Sequence, residues 1–195
     1  MFKLGITGSI GSGKSTAAKF FKKKNATIFD ADKEAKEHIL SSSHITDSLI
    51  KNFGSQILSQ EKIDFNKLSE LVFSNKNYLE ELNNIIWPEV YLIMKNNAEI
   101  AKNSNCSLFV VDAALLYEAG YEHYFDTILV ITASKQIRYQ RIIERKNIPQ
   151  TQIQKRMEFQ MPDYKKRSLT KNIIENNGNL SHFNMKLESF YMTIN

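Results

Sequence analysis

Near the start of the chain, Gly8-Ser9-Ile10-Gly11-Ser12-Gly13-Lys14-Ser15 fits the spacing G-x-x-x-x-G-K-[ST]. A polyphosphate imposes a task on each residue type in that pattern. A loop wrapped round an anion must aim backbone N–H groups inward, and Gly8, Gly11 and Gly13 permit the close approach this needs. Lys14 supplies a positive charge for the terminal phosphates, and the Ser15 hydroxyl is a hard oxygen ligand for Mg²⁺. Thr16 continues into a helix whose N-terminus favours the anion further. The bland alternative is a Gly/Ser turn beside a chance lysine, but the flanking segments argue against it. Phe2-Lys3-Leu4-Gly5-Ile6 reads as a strand, and Thr16 to Phe21 as a helix with an apolar face. The expected ligand is a nucleoside triphosphate.

Carboxylates and arginines come next. Ala26-Thr27-Ile28-Phe29 reads as a second strand, closing on Asp30-Ala31-Asp32. Ligands of a parallel sheet bind beyond the carboxyl ends of its strands, so both acids are placed for chemistry. Asp is also a favoured helix cap. Asp30 is read mostly as a cap, and Asp32 as a candidate for chemistry on the resemblance given below. Ser107 to Asp112 is an apolar run ending in a carboxylate; Asp112 is either a Walker-B-like acid for Mg²⁺ or an acid that merely ends a strand. Arg138, Arg141 and Arg145 share one face of a helix from Ser134 to Lys146. Arg138 is read as solvated, whereas a phosphoryl group in transfer needs arginine forks. Thr151-x-x-Gln154 is a capping box for a helix carrying Arg156 and Gln160, and the helix pair near Pro149 is expected to be a lid.

These groups need a scaffold. From Lys33 to about Lys102 the pattern is helix after helix. Ile45, Leu49, Ile50 and Phe53 form a stripe stopped by Gly54; Asp64 caps a helix carrying Leu68, Leu71 and Val72. Leu79, Leu82, Ile85 and Ile86 run up to Trp87-Pro88, where one helix is expected to stop and another, through Val90, Ile93, Met94 and Ala98, to begin. Thr127 to Ile131 is a further strand, Ile173-Ile174 a last short one, and Phe183, Leu187 and Phe190 mark a closing helix. Strand–helix alternation with the phosphate loop on the first strand predicts an α/β, P-loop nucleoside-triphosphate-hydrolase-like fold. Its parallel sheet has about five strands flanked by helices. One domain is expected over 1–195, with its core about 1–31, 105–135 and 165–195, a helical acceptor-binding region about 32–104 and a lid about 136–164.

Composition narrows the class. At 195 residues, 42% apolar and 24% charged, the chain is an ordinary globular domain. No apolar run is long enough to span a bilayer, and the early phosphate loop leaves no space for a signal peptide. One cysteine, Cys106, excludes internal disulfides, suits a reducing cytoplasm and is read as buried packing. The net charge of +5 suits a polyphosphate site; Lys22-Lys23-Lys24 lies at a helix C-terminus, and Lys165-Lys166-Arg167 lacks interleaved aromatics, so no nucleic-acid partner is expected. Without an N-K-x-D or T-K-x-D guanine signature, and with little room for motor machinery, a small-molecule kinase remains.

The ordered set GITGSIGSGKST, Phe29 to Asp32, Asp112 to Glu118 and Ile174 to Gly178 resembles the dephospho-CoA kinase family, from Phe2 to about Gly178. Leu68-x-x-x-Val72-Phe73 and Leu82-Asn83-x-Ile85 match between those motifs. The resemblance implies ATP-dependent phosphorylation of the ribose 3′-hydroxyl of dephospho-CoA, the last step of coenzyme A synthesis. It implies Asp32 as the acid that takes the hydroxyl proton, Gly11 to Thr16 as the ATP phosphate cradle, and Arg141, then Arg145, as lid arginines. Asn176 and Gly178 match a loop near the adenine of ATP, and Leu116 and Tyr117 fall on the acceptor side. Trp87 stands where the family has His, Phe65 where it has Arg, Ala114 where it has Pro, and Thr170-Lys171 where it has Ala-Asp. Trp87 either stacks on the acceptor adenine or packs. A nucleoside or nucleoside-monophosphate kinase, or a non-catalytic nucleotide-binding regulator, are the competing readings.

Overall fold

The computed structural model describes residues 1–144, 153 and 157–194. Five parallel strands form one sheet: β1 (Phe2–Thr7), β2 (Thr27–Asp30), β5 (Leu108–Asp112), β6 (Thr127–Thr132) and β7 (Ile173–Glu175), in the order β2-β5-β1-β6-β7. Every residue of β5 is buried, as are the last four of β1 and the last five of β6. Continuous apolar runs of this kind suit strands covered on both faces, which is why they read so plainly. The register sets Ile6 beside Asp112, Asp30 beside Asp112, and Thr7 beside Val130. The carboxyl ends of β1, β2 and β5 therefore finish together.

The chain divides into two compact units, Met1–Asp30 with Ala98–Asn195, and Ala31–Asn97. In the first, α1 (Lys14–Lys23) and α8 (Leu180–Ile194) cover one face of the sheet. Phe21 meets Phe190 edge-to-face with ring centroids 6.3 Å apart. Phe21, Phe183 and Leu187 are essentially fully buried, each contributing about 1.5–3 kcal/mol of transfer free energy. Leu116, Tyr117, Ile128 and Val130 form a second cluster. This unit also holds α6 (Lys135–Glu144) and α7 (Asp163–Ser168).

The second unit contains α2 (Ala31–Ser41), α3 (Ser43–Phe53), α4 (Phe65–Val72) and most of α5 (Lys76–Asn103). The Ser42 hydroxyl accepts the Ile45 N–H, and the Asp64 carboxylate accepts those of Asn66 and Lys67, so both helices begin on side-chain caps. Two expectations are corrected here. Between α3 and α4 lies an antiparallel pair, β3 (Leu58–Ser59) and β4 (Lys62–Ile63), rather than helix alone. Its turn places Gln60 and Glu61 at positive φ, with no glycine or asparagine to announce it. And α5 runs through Pro88 without ending. Proline removes one helical hydrogen bond, but the stripe Ile86, Val90, Met94 and Ala98 is buried on both sides of it. That burial outweighs the lost bond.

Candidate functional site

The loop from Gly8 to Gly13 joins the end of β1 to α1. Gly13 occupies the cap position at φ +111 with no side-chain cap, and the first turn of α1 carries no acidic residue. The helix thus presents its positive dipole end with neither a side-chain cap nor an acid across it, the condition an anion requires. The loop is supported from behind. A Cβ on Gly8 would lie 2.0 Å from the Ile131 carbonyl oxygen, and one on Gly13 2.3 Å from the Asn176 amide nitrogen. Glycine is demanded at both by close approach as well as by φ. The Lys14 ammonium donates to the Gly8 carbonyl at 3.0 Å, closing the loop on itself. Ser15 is exposed and Thr16 half-buried on the same turn, while the buried Ser12 hydroxyl has no hydrogen-bond partner among the described residues.

Asn176 is the surprise of the site. It is buried, its side-chain amide donates to the Ser12 carbonyl at 2.8 Å, and its backbone N–H donates to Thr132. Arg141 of α6 donates from Nη2 to the Asn176 side-chain oxygen at 3.4 Å. One residue directly after the last strand thereby ties the phosphate loop, β6 and α6 together. Gly178 is exposed beyond it, and Arg145 lies outside the described residues, with Thr151, Gln154 and Arg156 of the expected lid.

Asp112 is buried at the end of β5. The turn after it is fixed by Ala113 N–H donating to Ile6 and by the Thr7 hydroxyl donating to the Ala114 carbonyl at 3.3 Å. Leu116 and Tyr117 follow, both buried. The Tyr117 hydroxyl has no hydrogen-bond partner among the described residues, and burial, with Glu122 adding repulsion, pushes its pKa up to about 12. Asp32 is exposed on the first turn of α2, where a carboxylate complements the helix dipole. Trp87 is half-buried on α5, directly before Pro88.

Two further expectations change, those for Arg138 and Cys106, and one lysine has a placement the sequence did not announce. Arg138 is not solvated: its Nη2 lies 3.6 Å from Asp163 and its Nε donates to the Ala133 carbonyl at 3.1 Å. Lys166, in the Lys165-Lys166-Arg167 cluster, is wholly buried. Cys106 is only half-buried, at the opposite end of β5 from the loop, where its thiol donates to Leu108. Gln160, which the sequence placed on the expected lid helix, and Asp163, which carried no signal beyond its polarity, both reach the phosphate loop.

Comparison with known proteins gives the family and the fold. A sequence model of the dephospho-CoA kinase family (CoaE) matches residues 2–182. The chain is 36% identical over 192 residues to the dephospho-CoA kinase of Fusobacterium nucleatum, covering 98% of this chain and 97% of that one. It is 30% identical over 195 residues to that of Salinibacter ruber, covering 100% and 98%. Among solved structures, the dephospho-CoA kinase of Campylobacter jejuni superposes with a TM-score of 0.69 at 25% identity, over 98% of this chain and 96% of that one. A shikimate kinase from Acinetobacter baumannii shares the fold, with a TM-score of 0.54 at 14% identity over 99% and 94%.

Proposed function

The chain belongs to the dephospho-CoA kinase family, and on that premise we propose how its own residues phosphorylate the ribose 3′-hydroxyl of dephospho-CoA with ATP. The observation that carries the reading is the bare, glycine-lined N-terminus of α1 behind Lys14. It fits a polyphosphate, and a side chain on Gly8 or Gly13 would collide with the Ile131 carbonyl or the Asn176 amide that back the loop. The backbone of Gly8, Gly11, Ser12, Gly13, Lys14, Ser15 and Thr16 cradles the ATP phosphates. Lys14 exchanges its bond to Gly8 for one to the terminal phosphates, since an ammonium has three donors. Arg141 stands on the same side through Asn176 and balances charge developing on the transferred group. Arg145 and Gly178 join it on the ATP side.

Ser15 and Asp112 offer a hydroxyl and a carboxylate, the hard oxygen donors that Mg²⁺ takes alongside substrate phosphates. When bound there, Mg²⁺ neutralises phosphate charge. Asp32 accepts the proton of the acceptor hydroxyl as its oxygen bonds to the γ-phosphorus and ADP leaves. An alcohol is a poor nucleophile, and a positioned carboxylate removes the need for a free alkoxide. Half-buried Trp87 supplies apolar surface for the acceptor, buried Leu116 backs the acceptor side from the core, and the Tyr117 hydroxyl, without a partner among the described residues, supplies a donor. The unit Ala31–Asn97 serves acceptor binding. The free thiol of Cys106 suits a reducing compartment, and we place the enzyme in the cytoplasm.

The test is acceptor-dependent ADP release from Mg-ATP with dephospho-CoA, AMP, CMP, a nucleoside or no acceptor, with mass spectrometry locating the added phosphate. Turnover confined to dephospho-CoA, with phosphate on the 3′-oxygen, is expected. Turnover with a nucleoside monophosphate instead would overturn the acceptor assignment and point to Trp87 and Phe65 as marks of an altered pocket.

A further inference from the structure

One short stretch, Gln160 to Lys166, grips the phosphate loop at one end and the turn after β5 at the other. The Gln160 side-chain oxygen accepts the Ile10 N–H at 2.9 Å. The Asp163 carboxylate accepts the Ser9 hydroxyl and is itself held by Arg138. Both grips fall on the apex of the loop, between Gly8 and Gly11, away from the N–H groups at the start of α1. At the other end, Lys166 Nζ donates to the Ala114 carbonyl at 2.6 Å and pairs with Glu118 at 3.0 Å. The Glu118 carboxylate also accepts the Met161 N–H at 2.7 Å. Ala114 shares its carbonyl with the Thr7 hydroxyl, so the network closes on β1, one residue before the phosphate loop.

A wholly buried ammonium is an expensive way to fill space. Its burial disfavours the charged form, Glu118 opposes that, and the nearby Lys14 charge adds to the cost. An apolar side chain of similar volume is often as stable or more so at such a position. What the ammonium supplies and an apolar chain does not is direction: it fixes a carbonyl and a carboxylate at once.

We infer that Gln160–Lys166 is a positioning bracket: Gln160 and Asp163 hold the apex of the phosphate loop for nucleotide, and Lys166, through Ala114 and Glu118, holds the turn bearing Leu116 and Tyr117 for the acceptor. None of these groups is catalytic. The inference rests on the proposed function for the identity of the two substrates, and its consequence is a split. Each end of the bracket acts on one ligand.

Calorimetry tests this without turnover, by measuring ADP and dephospho-CoA binding to the wild type and four variants. Asp163→Ala and Gln160→Leu are expected to weaken ADP about tenfold, equivalent to about 1.4 kcal/mol, and to leave dephospho-CoA within about twofold. Lys166→Met is expected to do the reverse, and the milder Glu118→Gln to follow it with a smaller loss. If Lys166→Met does not fold, Glu118→Gln carries that arm. Steady-state kinetics should show the same split in KM, with kcat reduced less than KM is raised. Unchanged ADP affinity in Asp163→Ala and Gln160→Leu overturns the loop half. Equal weakening of both ligands by Lys166→Met or Glu118→Gln, or a fall in kcat alone, overturns the acceptor half. A wild type that binds ADP but not dephospho-CoA refutes the acceptor assignment, and with it the acceptor half, while the ADP arm still decides the loop half.

Discussion

Gly8→Ala separates close approach from backbone strain as the reason for a glycine at the mouth of the phosphate loop. Gly8 has φ +147, and an added Cβ would sit 2.0 Å from the Ile131 carbonyl oxygen and 2.9 Å from the Ser12 hydroxyl. The hydroxyl can rotate away. The carbonyl cannot, because Ile131 is a buried residue of β6 paired with Ile174 of β7, and about an ångström of relief requires β6 to part from β1. Overpacking of this kind costs about 1–3 kcal/mol, and the strained backbone about 1–3 kcal/mol more. The expected loss is about 2–6 kcal/mol, a large share of the roughly 5–15 kcal/mol that stabilises a domain. Gly54→Ala is the control. Its φ is +77, but nothing lies within 4 Å of the added Cβ, so strain alone, about 1–2 kcal/mol, applies. Urea denaturation of the three proteins gives the stabilities, and calorimetry gives ADP affinity. Gly8→Ala should lose the larger stability and at least about tenfold in ADP affinity, and Gly54→Ala should keep its affinity. Equal stabilities for the two variants would refute the argument that the β6 carbonyl, rather than φ, demands glycine.

Asp32→Asn is expected to lower turnover about 10²–10⁴-fold with ADP affinity unchanged in calorimetry; activity within about tenfold of wild type would remove Asp32 from proton transfer. Asn176→Ala deletes the donor to the buried Ser12 carbonyl and the Arg141 partner together, so denaturation should show a loss of about 1–3 kcal/mol, and a loss below about 0.5 kcal/mol would count against the clamp. For Tyr117, the folded chain favours the neutral phenol, with a pKa near 12 against 10 for the free group. Its contribution, about 2–3 kcal/mol, is complete below pH about 10 and fades as pH rises towards 12. An ultraviolet difference titration between wild type and Tyr117→Phe should centre near pH 12, and a centre near 10 would show the hydroxyl to be solvated.

The parts of the sequence that read correctly are those whose physics is local. The runs Leu108–Asp112 and Thr127–Thr132 are apolar because both faces of the strand are covered, and no partner need be known to see it. The Gly54 and Asp64 caps and the glycine spacing of the phosphate loop are local in the same sense. Arg138 misled, and Lys166 went unread, for the opposite reason. Whether a cation is solvated or buried depends on an acid elsewhere in the chain, Asp163 for Arg138 and Glu118 for Lys166, and spacing along a helix carries none of that information. Pro88 misled because its local cost is real but is outvoted by burial along the rest of α5. Asn176 belongs to both cases: its motif was visible, but its grip on Ser12 depends on β7 lying next to β6, which only the sheet order reveals.

That sheet order also explains how the loop is held while its working surface stays open. Gly8 is backed by β6, Ser12 is tied to Asn176 at the end of β7, and Ser9 and Ile10 are gripped by Asp163 and Gln160. All these supports come from residues more than 100 positions later in the chain, and those that bond the loop do so at carbonyls, a hydroxyl or the apex N–H. The N–H groups at the start of α1 receive no side-chain cap. A loop pinned on its back and apex, with no side chain capping the start of α1, has already lost the conformational entropy that binding would otherwise have to remove. Rigidity and openness are therefore not in competition here, and loosening the Asp163 or Gln160 support should weaken nucleotide binding without touching a group that meets the nucleotide.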